Sequence, residues 1–194
     1  MPRRYEQKKR ALLQQETRRR ILDAVVELHE TVGPARTSVS AVAERAGVER
    51  PTVYRHFPNE PAMLAACSAH FRARYPRPDA AAWSRIRNPE ERLRVALESL
   101  YRHYEKTEAM TSNVLRDAAV IPALAELVAP TREQMSALPD LLLRGWKARG
   151  PRRRRLRAAL AHAAAFTTWH SLVGEQGLDR DDAVSLMVAL ARSA

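Results

Sequence analysis

Between Gly33-Pro34 and Pro58-Asn59 the sequence leaves room for two short helices parted by one glycine, and this stretch limits the fold more than any other. Gly33-Pro34 stops a preceding helix, glycine as the left-handed cap and proline as a residue that cannot continue the ladder. Thr37 and Ser38 are the next N-cap candidates. Val39–Ala46 follows as a short helix, Gly47 breaks it, and a second begins near Arg50. Pro51 is tolerated there because first-turn N–H groups have no intrahelical partner. Two helices crossing at a wide angle over a short turn must approach closely. That needs a small side chain, Ala43, and a residue that takes positive φ, Gly47. Val42, Val48, Val53 and Phe57 fill the core beneath. Arg50, Pro51, Thr52, Tyr54, Arg55 and His56 then point outward, and most can meet phosphate or base edges. The spacing of Ala43, Gly47 and Val53 alone also fits an ordinary helical hairpin.

The rest of the chain reads as helices. Residues 1–16 are polar and basic and read as a mobile arm, with Thr17 as a possible cap behind it. Ile21, Leu22, Val25, Val26, Leu28 and Val32 recur at helical spacing, opposite Arg19, Arg20, Asp23, Glu27 and Glu30. Glu60 to about Tyr75 is a helix that buries Met63, Leu64, Cys67 and Phe71. Tyr75-Pro-Arg-Pro-Asp79 is the best linker. Asn88-Pro89-Glu90-Glu91 is a strong helix start, with a cap, a first-position proline and acids in the first turn. Leu93, Leu97, Leu100, Tyr101 and Tyr104 form the stripe that follows. Thr107 to about Ala119 reads as a separate short helix. Pro122–Arg149 reads as a long one kinked near Pro130 and Pro139. Arg152–Glu175 and Asp179–Arg192 come last, parted by Gly177. No strand-like alternation runs far, so the expected fold is all-α with about nine helices.

Charge is a weaker guide. The chain carries 33 Lys and Arg against 22 Asp and Glu, a formal net charge of +11. Such a balance attracts polyanions. Yet residues 1–60 hold 12 basic and 8 acidic groups and the remainder 21 and 14, so charge locates no site. Cys67 is the only cysteine, which excludes an intrachain disulfide and fits a reducing cytoplasm. No apolar run follows the basic N-terminus and none approaches a membrane span, so neither a signal peptide nor membrane association is expected.

The run Thr37-Ser38-Val39…Val42-Ala43…Ala46-Gly47-Val48…Pro51-Thr52-Val53-Tyr54-Arg55-His56-Phe57-Pro58-Asn59 strongly resembles the DNA-binding domain of the tetracycline-repressor (TetR) family. The specific resemblance covers about residues 15–72. It implies a three-helix helix-turn-helix domain, a C-terminal helical domain for ligand binding and dimerisation, and a homodimer on double-stranded operator DNA. It also implies a small-molecule effector and a cytoplasmic site of action. The implied segments are the arm at 1–16, the helix-turn-helix domain at 17–59, a connecting helix at 60–75 and the effector-binding and dimerisation domain at 76–194. Carried onto matching positions, the resemblance makes Thr37 and Ser38 caps that reach phosphate. Arg50 becomes a base reader suited to guanine. Pro51 and Tyr54 touch thymine methyls or backbone, and Thr52, Arg55 and His56 contact phosphate. Two positions depart. Glu60 stands where the family usually has a phosphate-contacting lysine, and Val39 where the family's namesake has a base-contacting arginine. The operator should therefore be this chain's own.

In the arm, Arg3, Arg4, Lys8, Lys9 and Arg10 can enter a minor groove or remain solvated. In the C-terminal half, Ala183, Val184, Met187, Val188, Leu190 and Ala191 form an apolar face too broad for one domain. With Leu156, Leu160, Ala163, Ala164, Phe166, Thr167 and Leu172 it suits a four-helix dimer interface. Tyr101, Tyr104, Met110, Trp146, Phe166 and Trp169 are the candidate lining of an apolar effector cavity, or plain core. The basic cluster Arg144–Arg157 holds eight cations and no acid, and reads as a solvated loop or an anion site. His162 with His170, and Cys67 with His70, lack the co-ligands of a metal site. No catalytic motif, metal or cofactor is expected. The expected function is a ligand-responsive repressor. The alternatives are a DNA-binding regulator without an effector, a non-specific nucleoid-type binder, and a helical enzyme with incidental basic charge.

Overall fold

The computed structural model describes residues 2–194, with side chains from Glu6 onward. It is all-helical, and no strand forms among the described residues. The helices are α1 (Pro2–Thr31), α2 (Val39–Ala46), α3 (Arg50–His56), α4 (Glu60–Arg74), α5 (Ala80–Ser84), α6 (Pro89–Asp117), α7 (Pro122–Leu142), α8 (Gly150–Ala164), α9 (Phe166–Trp169) and α10 (Arg180–Ser193). A 3-10 turn, Pro34–Arg36, joins α1 to α2, and a π-helical segment, His170–Glu175, follows α9. No helix among the described residues is long and apolar enough to cross a membrane.

The chain divides into two compact units. The N-terminal unit holds the residues up to Arg74 together with Ala109–Val128, and the C-terminal unit holds Tyr75–Glu108 and Ala129–Ala194. Helices α6 and α7 thus each contribute residues to both units.

In the N-terminal unit, Ile21, Leu22, Val25 and Val26 of α1 pack with Val42, Ala43 and Ala46 of α2 and Val53 of α3. Phe57, Met63, Cys67 and Met110 complete this core. A polar clamp from the end of α6 holds the turn between α1 and α2. Asn113 Nδ2 donates to the carbonyls of His29 and Glu30, both at 2.9 Å. Arg116 Nη2 donates to Val32 O at 3.1 Å. The buried Asp117 carboxylate accepts the Ala35 N–H at 2.9 Å and the Arg116 Nε at 2.6 Å. The clamp therefore satisfies the C-terminal carbonyls that α1 leaves unpaired. Gly33 sits inside it with φ 93°. A Cβ there would lie 2.6 Å from Asp117 Oδ2 and collide with Arg116 Nη2. Gly33→Ala is expected to cost about 2 kcal/mol, from backbone strain alone. Thermal unfolding should show it as a Tm lower by roughly 4–8 °C.

In the C-terminal unit the core is formed by Trp83, Leu93, Leu97, Tyr101, Tyr104, Leu142, Leu156, Leu160, Trp169, Val184 and Met187, among others. Buried Arg92 ties two loops to it. Its guanidinium donates twice to the Ile86 carbonyl, from Nη2 at 2.7 Å and Nε at 3.0 Å, and to the Arg144 carbonyl just past α7.

Several expected boundaries move. The segment read as an arm is helical from Pro2 onward: α1 runs unbroken to Thr31, because no Gly or Pro interrupts residues 3–32 and the segment is rich in Gln, Lys, Arg, Leu and Ala. Lys8, Lys9 and Arg10 lie exposed on it, while the Arg3 and Arg4 side chains fall outside the described residues. Thr107 starts no new helix. Its hydroxyl donates to His103 O at 2.8 Å inside a continuous α6. Helix α7 stops at Leu142 and keeps both Pro130 and Pro139 inside it. The expected helix over Arg152–Glu175 breaks at Ala165, which is extended with ψ 141°. His162 and His170 therefore sit on different elements. The short helix α5 carried no periodic signal and was not expected.

Candidate nucleic-acid interface

The two short helices are built by local chemistry. Ser38 is the N-cap of α2, and its Oγ accepts the Ala41 N–H at 3.1 Å. Thr37 is not a cap for that helix: its hydroxyl donates to Gly33 O at 2.8 Å and secures the preceding turn instead. Gly47 ends α2 in the left-handed region, φ 63° and ψ 42°, and Val48 N–H donates to Ala43 O at 2.9 Å. This closes the turn tightly enough for α3 to begin at Arg50. Glu49 is the N-cap of α3 and makes no side-chain cap. Ala43 and Val53 are buried, as the close crossing requires, and Val48 is half-buried against the same core.

Helix α3 therefore has a committed inner side and a free outer one. Val53 and Phe57 are 1% and 3% exposed. Arg50, Pro51, Tyr54 and Arg55 are exposed, and Thr52 and His56 are half-buried. Tyr54 is the most informative of these, since 46% of a large aromatic residue faces solvent. The structure thus brings Arg50, Pro51, Thr52, Tyr54, Arg55 and His56 together on one short helix, with Ser38 exposed and Thr37 half-buried nearby in the same unit. The Arg18 guanidinium lies 5.0 Å from the centre of the Phe57 ring, a cation–π contact that holds the end of α3 against α1. Spacing could not reveal it, because the contact depends on how α1 packs beside the end of α3. Burial holds the His56 imidazole below its usual pKa, and Arg18 and Arg55 lower it further.

Beside α3 lies a cleft of about 230 Å³, lined by Thr37, Val39, Val53, Tyr54, Asn59, Glu60 and Met63 among others. Glu60 is exposed in the first turn of α4, where the helix dipole favours an acid. That is a structural reason for the departure at this position. Beneath the cleft, the buried His29 Nδ1 lies 3.6 Å from Cys67 Sγ. Burial lowers the His29 pKa to about 4, against a smaller opposing pull from Asp117. Burial also raises the Cys67 thiol to about 12, so it has no thiolate character at neutral pH. His70 pairs with Asp23 at 2.7 Å and is no partner to Cys67.

The candidate effector residues do not all meet. Tyr101, Tyr104, Phe166 and Trp169 gather in the C-terminal core, and Trp146 packs against that core with its Nε1 donating to Leu142 O at 3.1 Å. Met110 belongs instead to the core of the N-terminal unit. The two tyrosine hydroxyls are already engaged, donating to Ala163 O and Ala164 O at 2.8 Å each. The apolar face of α10 is also reassigned. Ala183, Val184, Met187, Val188 and Ala191 fill their own unit's core, as do Leu156, Leu160, Ala163 and Ala164 of α8. Leu186 and Leu190 stay 47% and 41% exposed. In the basic cluster every cation is exposed, and Arg157 pairs with Asp140 at 2.8 Å.

A glycine-turned pair of short helices, the second buried on one side and bearing Arg50, Tyr54 and Arg55 on the other, defines the class of helix-turn-helix DNA-binding proteins. Residues 21–67 match the model for bacterial regulatory proteins of the tetR family. The HTH-type transcriptional repressor KstR of Rhodococcus jostii (strain RHA1) is 37% identical over 103 residues, 50% of this chain and 47% of that protein. The chain thus spans about half the length of that curated relative. The crystal structure of a TetR-like transcriptional regulator from Rhodococcus sp. RHA1 shares the fold, with a TM-score of 0.69 and 24% identity over 91% of this chain and 93% of that one. The transcriptional regulator FadR from Bacillus subtilis, in complex with stearoyl-CoA, does so with a TM-score of 0.60 and 17% identity over 89% and 96%. Residues 21–67 thus form a DNA-binding domain of the tetR family of bacterial regulatory proteins.

Proposed function

We propose that this chain is a ligand-responsive repressor that binds a pseudo-palindromic operator as a homodimer in the bacterial cytoplasm. The observation that carries the reading is α3: Val53 and Phe57 anchor it, while Arg50, Pro51, Tyr54 and Arg55 stand free. Arg50 reads a guanine edge, Pro51 and Tyr54 pack on thymine methyls or backbone, and Ser38, Thr37, Thr52, Arg55 and His56 set the register on phosphates. Two copies place two such helices in successive major grooves about one turn apart. The exposed Leu186 and Leu190 of α10 support a self-association face. The repressor KstR supports repression as the output. The stearoyl-CoA complex of FadR supports an effector with a large apolar part. Effector binding favours a state in which α4 tilts and the recognition helices no longer match the grooves. A coupling of about 1–3 kcal/mol suffices for release.

The test is affinity for the inverted repeat beside the chain's own gene. Arg50→Ala and Tyr54→Ala should each weaken binding roughly 10- to 100-fold, as for loss of one good base contact. Fluorescence anisotropy with labelled duplex measures it. Unchanged affinity in folded variants would overturn the assignment of α3 as the reading helix.

A further inference from the structure

Two oddities of the C-terminal unit fall on neighbouring residues. Trp169 is 2% exposed, and its Nε1 has no hydrogen-bond partner. A buried donor left unpaired is rare in a folded protein and needs a reason. Its surroundings satisfy other polar groups with care. Tyr101 and Tyr104 hydroxyls donate to Ala163 O and Ala164 O, Thr168 Oγ1 donates to His162 O at 2.6 Å, and the Trp146 indole donates to Leu142 O. Immediately after Trp169 the helix widens into the π-helical turn His170–Glu175. Such turns have poor intrinsic stability and recur at functional sites.

The rings around the indole form an aromatic group. Tyr104, Phe166 and His170 have centroids 5.9, 5.5 and 6.4 Å from Trp169. Phe166 and His170 are half-buried, so the group is not sealed. The His170 ring in turn has the Glu108 and Glu175 carboxylates at 3.5 and 3.8 Å. Two carboxylates at that edge disfavour an anion. What suits the group is an apolar body with a neutral acceptor.

We infer that the Trp169 indole N–H is the hydrogen-bond donor for the effector, and that the effector at this point is an uncharged apolar group bearing one acceptor oxygen, such as a ketone. The inference rests on the effector-responsive reading above and adds the chemistry that selects the ligand. Discrimination of this kind is strong, because a ligand lacking the oxygen leaves the donor unpaired.

Two probes with one carbon skeleton test it: benzylacetone, which has a carbonyl, and butylbenzene, which does not. The full chain has 3 tryptophans, so its indole N–H signals are few enough to assign in a 15N-edited spectrum. Benzylacetone is expected to move the Trp169 indole signal downfield, and butylbenzene to leave it near its free position. Trp169→Phe should weaken benzylacetone binding about tenfold and leave butylbenzene binding unchanged. The signal shift in the unaltered chain stands even where the variant folds poorly. If both probes bind and the signal does not move, or benzylacetone binds the folded variant equally well, Trp169 is no donor and this inference alone falls. An indole already hydrogen-bonded in the ligand-free dimer overturns it too, in favour of an acceptor from the partner copy. If neither probe binds the unaltered chain, the apolar-effector reading falls with it.

Discussion

Asp117→Ala is expected to destabilise the N-terminal unit by about 3 kcal/mol, because a charged acceptor is lost and a backbone donor is left unpaired. The carboxylate is buried and serves two donors. It takes the Ala35 N–H at 2.9 Å and the Arg116 guanidinium at 2.6 and 3.1 Å. Removing it frees the turn before α2, and also frees Arg116 from the orientation in which it serves Val32 O. Urea unfolding should show the midpoint falling with an unchanged slope. Asp117→Asn separates the two roles. An amide oxygen can still accept from Ala35, but the amide N–H groups confront the donors of Arg116, so part of the loss should remain. An Asp117→Ala midpoint equal to that of the unaltered chain would show the clamp to be ornamental. The Asp117 pKa is held below the usual carboxylate range, first by the hydrogen bond from Arg116 and also by the Ala35 N–H. This stabilisation is present above the pKa of an unfolded aspartate, about 3.9, and is lost as pH falls through the lower folded value.

The second large effect is a loss of stability on mild acidification, centred on His29. Its imidazole is lowered from 6.5 to about 4, because burial disfavours the charged ring. Above pH 6.5 both folded and unfolded chains hold it neutral, and it has no pH-dependent effect. Between 6.5 and 4 the unfolded chain takes a proton that the folded one refuses, so stability falls as pH falls. The slope approaches about 1.4 kcal/mol per pH unit, and the total is roughly 3 kcal/mol by pH 4. Burial also lowers His56 and His103, which act in the same direction, while the raised Glu30 acts in the opposite one at the acid end. His29→Leu isolates the contribution. Its unfolding free energy should vary much less between pH 7 and pH 4.5 than that of the unaltered chain. Identical pH profiles for the two would refute the assignment. His29 also lines the cleft beside α3.

Helix α3 was legible from residues 33–59 because everything that shapes it is local. The Ser38 cap, the left-handed Gly47, Pro51 in the first turn and the inward Val53 all act within a few residues of where they stand. Such signals survive without tertiary knowledge, and the family resemblance rests on the same residues. The long reach of α6 was also latent, since no Gly or Pro lies between Pro89 and Pro122. The separate helix expected from Thr107 does not form, because a helix tolerates a β-branched residue whose hydroxyl bonds back to residue i−4.

Other features had no local sign. The Asp117–Ala35 contact joins residues 82 apart, and no spacing rule predicts it. The break at Ala165 lies in a run of alanines that favours helix. It occurs because Tyr101 and Tyr104 reach from α6 to take the carbonyls of Ala163 and Ala164, while Thr168 takes that of His162. The Ala163 and Ala164 carbonyls thus find side-chain partners where the ladder stops. The same event turns two tyrosines read as ligand handles into structural pins, and leaves the Trp169 N–H unpaired beside them. By itself the sequence determined the helical class, the two short helices, and the outward set from Arg50 to His56, because caps, glycines and periodic burial act at short range. Tertiary structure decided which side chains clamp the turn before α2, which tyrosines are already engaged, and which donor is left over, because hydrogen bonds between distant residues depend on packing and leave no periodic trace.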